Sequence, residues 1–129
     1  MSAARFTLIS GAILMFLAVL LGAFGAHALE PVLEKNNRVA VFDTASRYHF
    51  YHALGLLVIG LLIQHDFELP HMKLIVSTML CGVLIFSGSL YVLALTNLGW
   101  LGMVTPIGGG LLLLAWACFS FDLLRTRIQ

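Results

Sequence analysis

The stretch FTLISGAILMFLAVLLGAFGAHAL, residues 6–29, holds only Thr7, Ser10 and His27 as polar interruptions. It is longer than the ~20 apolar residues a helix needs to cross a bilayer, so it reads as a membrane span. The rest of the chain has the same character. Of 129 residues, 60% are hydrophobic and 10% charged, and the mean hydropathy is +1.00, whereas soluble domains carry about 25% charged residues. A net charge of +1, with the basic residues scattered, provides no stripe for nucleic acid, and no nucleic-acid partner is expected. Cys81 and Cys118 sit far apart in apolar runs and read as small buried hydrophobes rather than a disulfide or a metal knuckle.

Three further spans follow. The apolar run from Tyr48 to Ile63 would cover only about 24 Å at ~1.5 Å per residue, short of the ~30 Å hydrocarbon core. Its extension lies upstream. Val41, Phe42, Ala45, Tyr48 and His52 share one helical face, while Arg38, Asp43 and Arg47 can turn to water, so an amphipathic lead-in predicts one helix from about Asn37 to Gln64. Leu74–Leu95 and Leu101–Leu124 are each long enough to cross, and the turn TNLGW, residues 96–100, makes them antiparallel neighbours. The expected fold is an all-α antiparallel bundle of four transmembrane helices, a single integral membrane domain over residues 1–129.

The end of the first span has two competing readings. Arg5, the apolar run and the small-x-small triplet Ala26-His27-Ala28 imitate a secretory signal. A signal core is ~7–15 residues; this run is longer, so it is expected to stay as helix one. Packing explains the small residues better. Ala18, Gly22 and Ala26 recur every four positions, with Gly25 beside them. Such a face lets a neighbouring backbone come close, the main source of helix attraction in lipid. Gly82, Gly88, Gly108, Gly109 and Gly110 offer similar low surfaces in the third and fourth spans.

Polar side chains collect at one depth. With the N-terminal side as A and the far side as B, alternation of direction brings His27, His49 and His52, then Tyr91 with Ser87 and Ser89, and finally Thr105 to the B half. Thr7, Ser10, Ser77 and Thr78 in the A half can bond their own backbone carbonyls. Polar groups inside a membrane are costly and default to site hypotheses. Tyr48, His52, Ser87, Ser89, Tyr91, Thr105 and His27 are therefore the candidate polar or ligand site, and His27, His52 and Tyr91 are expected to form one coupled cluster. Interhelical hydrogen bonding as structural glue accounts for the same residues.

Four segments also carry a resemblance. GAFGAH (22–27), Thr44, Tyr48 and His52 with Ala53 and Leu54, FSGSLY (86–91) and TPIGG (105–109) closely resemble the signature segments of domain-of-unknown-function family 423, the YgdD-like and YwdK-like small inner-membrane proteins. The resemblance implies a four-helix integral membrane protein of the bacterial inner membrane and carries over no reaction. The family pattern falls on Gly22, Gly25, His27, Tyr48, His52, Ser87, Gly88, Tyr91, Thr105, Pro106 and Gly109. His49 departs from it, which leaves His27 and His52 as the histidines to weigh.

Function classes can be ranked on these residues. A small proton-coupled exporter needs a carboxylate deep in the membrane, and the nearest, Asp122, is in the last turn before the A surface. A b-type haem held axially by His27 and His52 is conceivable, with glycine admitting the macrocycle. No metal site is expected, since only Tyr91 and hydroxyls could join the two imidazoles. Ser87 or Ser89 with His52 could be drawn as a nucleophile and base, but intramembrane serines usually bond their own backbone, so no enzyme is expected. The favoured reading is a non-enzymatic accessory or assembly subunit, or a binder of a lipid, quinone or apolar solute. Its expected partners are membrane lipids, with a larger membrane complex or a homo-oligomer as further options. Arg5, Lys73, Arg125 and Arg127 on side A exceed Lys35, Arg38 and Arg47 on side B, which predicts both termini in the cytoplasm.

Overall fold

The computed structural model describes residues 1–126. Arg127, one of the side-A cations, lies outside the described residues. Helix α1 spans Ala3–Ala26; the Ser2 hydroxyl caps it by accepting the Arg5 N–H at 3.3 Å. A short helix α2, Glu30–Lys35, follows, with Pro31 in its first turn. Helix α3 runs unbroken over Val39–Gln64, so the amphipathic lead-in and the second apolar run are one element. Helix α4 spans Met72–Thr96 and α5 spans Thr105–Arg125, with a 3-10 segment, Gly99–Met103, between them.

Three boundaries differ from the sequence reading. The first span ends at Ala26 rather than residue 29: the backbone leaves the helix at His27, and Pro31, which has no N–H to continue the ladder, falls in the first turn of the next helix. Helix α2 was not expected. Its Glu30 start and Lys35 end match the helix dipole, and Asn36 ties it down by donating to the carbonyls of Ala94 (3.0 Å) and Leu95 (3.1 Å) at the end of α4. Helix α5 starts at Thr105 rather than residue 101, with Pro106 in the first turn, where a missing N–H costs nothing.

Four helices are long and apolar enough to cross a membrane. α3 and α4 pack on each other at the centre, α1 lies on α3, and α5 lies on α4. The α1/α3 pairs step in opposite directions along the two helices: Leu8 beneath Gly60, Leu57 beneath Gly11, Ser46 beside Gly22 and Phe42 beneath Gly25. The same holds for α4 and α5, where Leu112 meets Gly82 and Phe86 meets Gly108. The bundle is therefore antiparallel. Leu56, Ile59, Ile75, Met79 and Ala115 form its fully buried centre, while Phe16, Val19, Leu113 and Leu124 project outward, as apolar surroundings allow.

The glycines divide into two kinds. A Cβ on Gly108 would stand 2.7 Å from the Cα of Phe86, and one on Gly25 would overlap the Phe42 ring. These two must be small for the helices to meet. Ala18 is likewise buried. Gly22 and Gly109 have only ordinary contacts at 3.6 Å, Gly88 has nothing within 4 Å, and Ala26 is exposed. The expected packing role thus fits Gly25, Gly108 and Ala18, whereas Gly88 and Ala26 touch no neighbour that requires their size.

On side A, Asp122 of α5 is completely buried. Its carboxylate accepts the backbone N–H of His71 at 2.9 Å and the ring Nδ1–H of the same residue at 2.6 Å. Since His71 is the residue that caps α4, the carboxylate of one helix satisfies and charge-complements the start of another.

Candidate functional site

The central α3/α4 pair divides the B-side polar residues into two centres. On the side of α1, the His49 Nδ1 and the Tyr91 hydroxyl are joined at 3.2 Å. Tyr91 is packed edge-on against Phe42 with ring centres 5.0 Å apart, and the Ser87 hydroxyl donates to the Ala45 carbonyl at 2.9 Å. His49 is 5% exposed. Its Nε2 is sealed off with no hydrogen-bond partner among the described residues, and the Leu14 backbone of α1 lies close to the ring. A cleft of about 170 Å³ between Leu14, Leu17 and Leu21 of α1 and Val83 and Gly88 of α4 lies over this centre.

On the other side, α3 and α5 leave a groove of about 680 Å³, walled by Tyr48, His52, Phe86 and Trp116 and floored by Gly109 and Gly110. Tyr48 stacks on His52 with ring centres 6.0 Å apart and rests on Phe86 at 4.7 Å, and Trp116 lies 6.1 Å from His52. The His52 Nδ1 is 2.6 Å from the Tyr48 carbonyl. A carbonyl only accepts, so Nδ1 carries the hydrogen and Nε2 the lone pair of the neutral ring. Deeper toward side B, the Ser89 and Thr105 hydroxyls meet at 2.8 Å and close α4 against α5.

The expected cluster of His27, His52 and Tyr91 is not assembled. His27 is exposed at the end of α1, where its backbone N–H donates to the Phe24 carbonyl. Tyr91 bonds His49 instead. His49 and His52 are three residues apart, about 60° around a helix, which is enough to turn them to opposite sides of the α3/α4 pair. The signal for His49 was present in the sequence: it lies four residues after Ala45 and seven after Phe42, on the buried stripe of α3. Bis-imidazole haem ligation by His27 and His52 does not fit this geometry, since His27 lies outside the groove that His52 lines. The serine–histidine pairing is not assembled either, because Ser87 bonds Ala45 and Ser89 bonds Thr105. Among the described residues, no three or more His, Cys, Asp or Glu gather as a metal site would need.

Four antiparallel apolar helices joined by short connections, with two polar centres between them, define a small polytopic membrane protein. The chain belongs to the family described as protein of unknown function (DUF423), which matches residues 21–109. It is 41% identical over 109 residues to the UPF0382 membrane protein YwdK of Bacillus subtilis, covering 84% of this chain and 88% of that one. Similarity to the UPF0382 inner membrane protein YgdD of Escherichia coli is 36% over 123 residues, 95% and 92% of the two chains. A UPF0382 membrane protein of Haemophilus influenzae is 34% identical over 112 residues, 87% and 88% of the two chains. No solved structure matches the chain. The matched segment contains His49, Ser87 and Tyr91 of one centre and Tyr48, His52, Phe86 and Gly109 of the other, while Leu14, Leu17, Gly110 and Trp116 lie outside it.

Proposed function

We propose that the chain is a non-enzymatic binder of a flat, lipid-soluble molecule, held in the α3/α5 groove within the bacterial inner membrane, with both termini in the cytoplasm. The observation that carries this reading is the groove's construction. Aromatic walls from Tyr48, Phe86 and Trp116 face a floor of two glycines, and a Cβ placed on Gly110 would meet nothing within 4 Å. Gly110 lies at the exposed side of the groove, where a side chain can be added without a clash. Ligand sites are commonly concave and mostly apolar, with a few placed polar groups, and His52 supplies one.

Filling the groove tests the proposal. The indole of a Gly110→Trp variant has open space to enter, so the bundle should keep its thermal stability. Apolar small molecules extracted from the purified protein, measured by mass spectrometry per mole of chain, should fall in the variant. An unchanged extract from a stably folded variant would refute groove binding.

A further inference from the structure

We infer that the α3/α5 groove selects a ligand by its aromatic hydroxyl, taking a membrane-soluble phenol or quinol head in preference to the matching quinone. The inference rests on the groove reading above and adds the chemical class of the occupant. His52 is 6% exposed, and its Nδ1–H is committed to the Tyr48 carbonyl. Among the described residues its Nε2 has no hydrogen-bond partner and, unlike the Nε2 of His49, it is not sealed off. No acidic side chain lines the groove to balance an imidazolium, and an unbalanced charge in hydrocarbon is expensive. The neutral ring therefore presents a lone pair and no hydrogen at the groove wall.

A lone pair calls for a donor. A quinone carbonyl offers a second lone pair, leaving both acceptors desolvated and unpaired, whereas a phenolic O–H completes the bond. Tyr48 and Tyr51 also line the groove, but a hydroxyl both donates and accepts, so neither discriminates between the two forms. The walls favour a ring over an acyl chain: the aromatic rings of Tyr48 and Phe86 and the indole of Trp116 line a space that Gly109 and Gly110 also border.

The test uses the full chain in nanodiscs of phosphatidylethanolamine and phosphatidylglycerol, with duroquinol and duroquinone as probes of the same shape. Equilibrium dialysis is run anaerobically, with reductant in the quinol arm, and tetramethylphenol serves as a single-hydroxyl arm. Duroquinol and tetramethylphenol should each bind about three- to tenfold more tightly than duroquinone, the size of one net hydrogen bond. In His52→Phe the preference should fall to near unity, and in Gly110→Trp all three probes should lose binding. Equal or tighter binding of duroquinone by the unsubstituted protein would overturn the hydroxyl selection while leaving the groove reading intact. Binding of none of the probes would overturn both.

Discussion

The Nδ1 atom of His49 on α3 lies 3.2 Å from the phenolic oxygen of Tyr91 on α4, and both residues are buried. This contact ties the two central helices together at the depth where their backbones are also linked by the Ser87 hydroxyl and the Ala45 carbonyl. Tyr91→Phe should destabilise the bundle by about 0.6–2 kcal/mol, the usual range for interhelical hydrogen bonds in membranes. His49→Phe combined with Tyr91→Phe should cost less than the two single losses together, because each single variant strands the other partner. Unfolding equilibria of the four proteins in mixed micelles decide the matter, and strictly additive losses would rule out the coupling.

His27 should be silent in the same assay. Exposed at the end of α1, it should change stability by less than about 0.5 kcal/mol as His27→Ala, and its effect should add to that of His52→Ala. A large or non-additive effect would place His27 in contact with the α3 histidines.

Gly108 and Gly88 predict opposite outcomes for the same chemical change. At Gly108→Ala the new methyl would face the Phe86 backbone at 2.7 Å, which can move only by separating α4 from α5, so a loss of about 1–3 kcal/mol is expected. Gly88→Ala opens onto empty space and should be neutral or slightly stabilising, since alanine favours helix. Thermal denaturation in detergent compares the pair; equal losses would contradict the assigned packing.

Asp122 should matter well beyond its position in the last turn of α5. Asp122→Ala removes the acceptor for the His71 N–H and ring, leaving the start of α4 uncapped, and a cost of about 0.5–2 kcal/mol is expected. Hydrogen exchange should localise the change: amides of the first turn of α4 should lose protection while those around Tyr91 keep theirs. Uniform loss of protection would indicate global rather than local damage.

Topology follows from charge. With Cys81 and Cys118 replaced by alanine, a cysteine introduced at Glu68 should be shielded from a membrane-impermeant reagent in intact cells, and one at Glu34 should react. The reverse labelling would invert the orientation while leaving the span count, which rests on apolar length.

The sequence by itself determined the four spans and their alternation, because crossing a bilayer demands only length and apolarity, which are local and additive along the chain. It also placed Tyr48 and His52 on one face of α3, since helical periodicity repeats within a single element. Helix α2 was not foreseen from the sequence, and its anchoring by Asn36 to the end of α4 joins residues nearly half the chain apart. The tertiary structure alone decided which histidine meets Tyr91. Equal depth brought His27, His49 and His52 to one layer, but depth says nothing of rotation about the helix axis, and a turn of about 60° sends His49 toward α1 and His52 toward α5. Which glycines are required was settled in the same way: Gly108 faces the Phe86 backbone and Gly88 faces none, a difference that exists only once two helices are packed. Asp122 reads as a near-surface acid until α4 begins beside it, when the unsatisfied N–H of His71 makes it a buried cap.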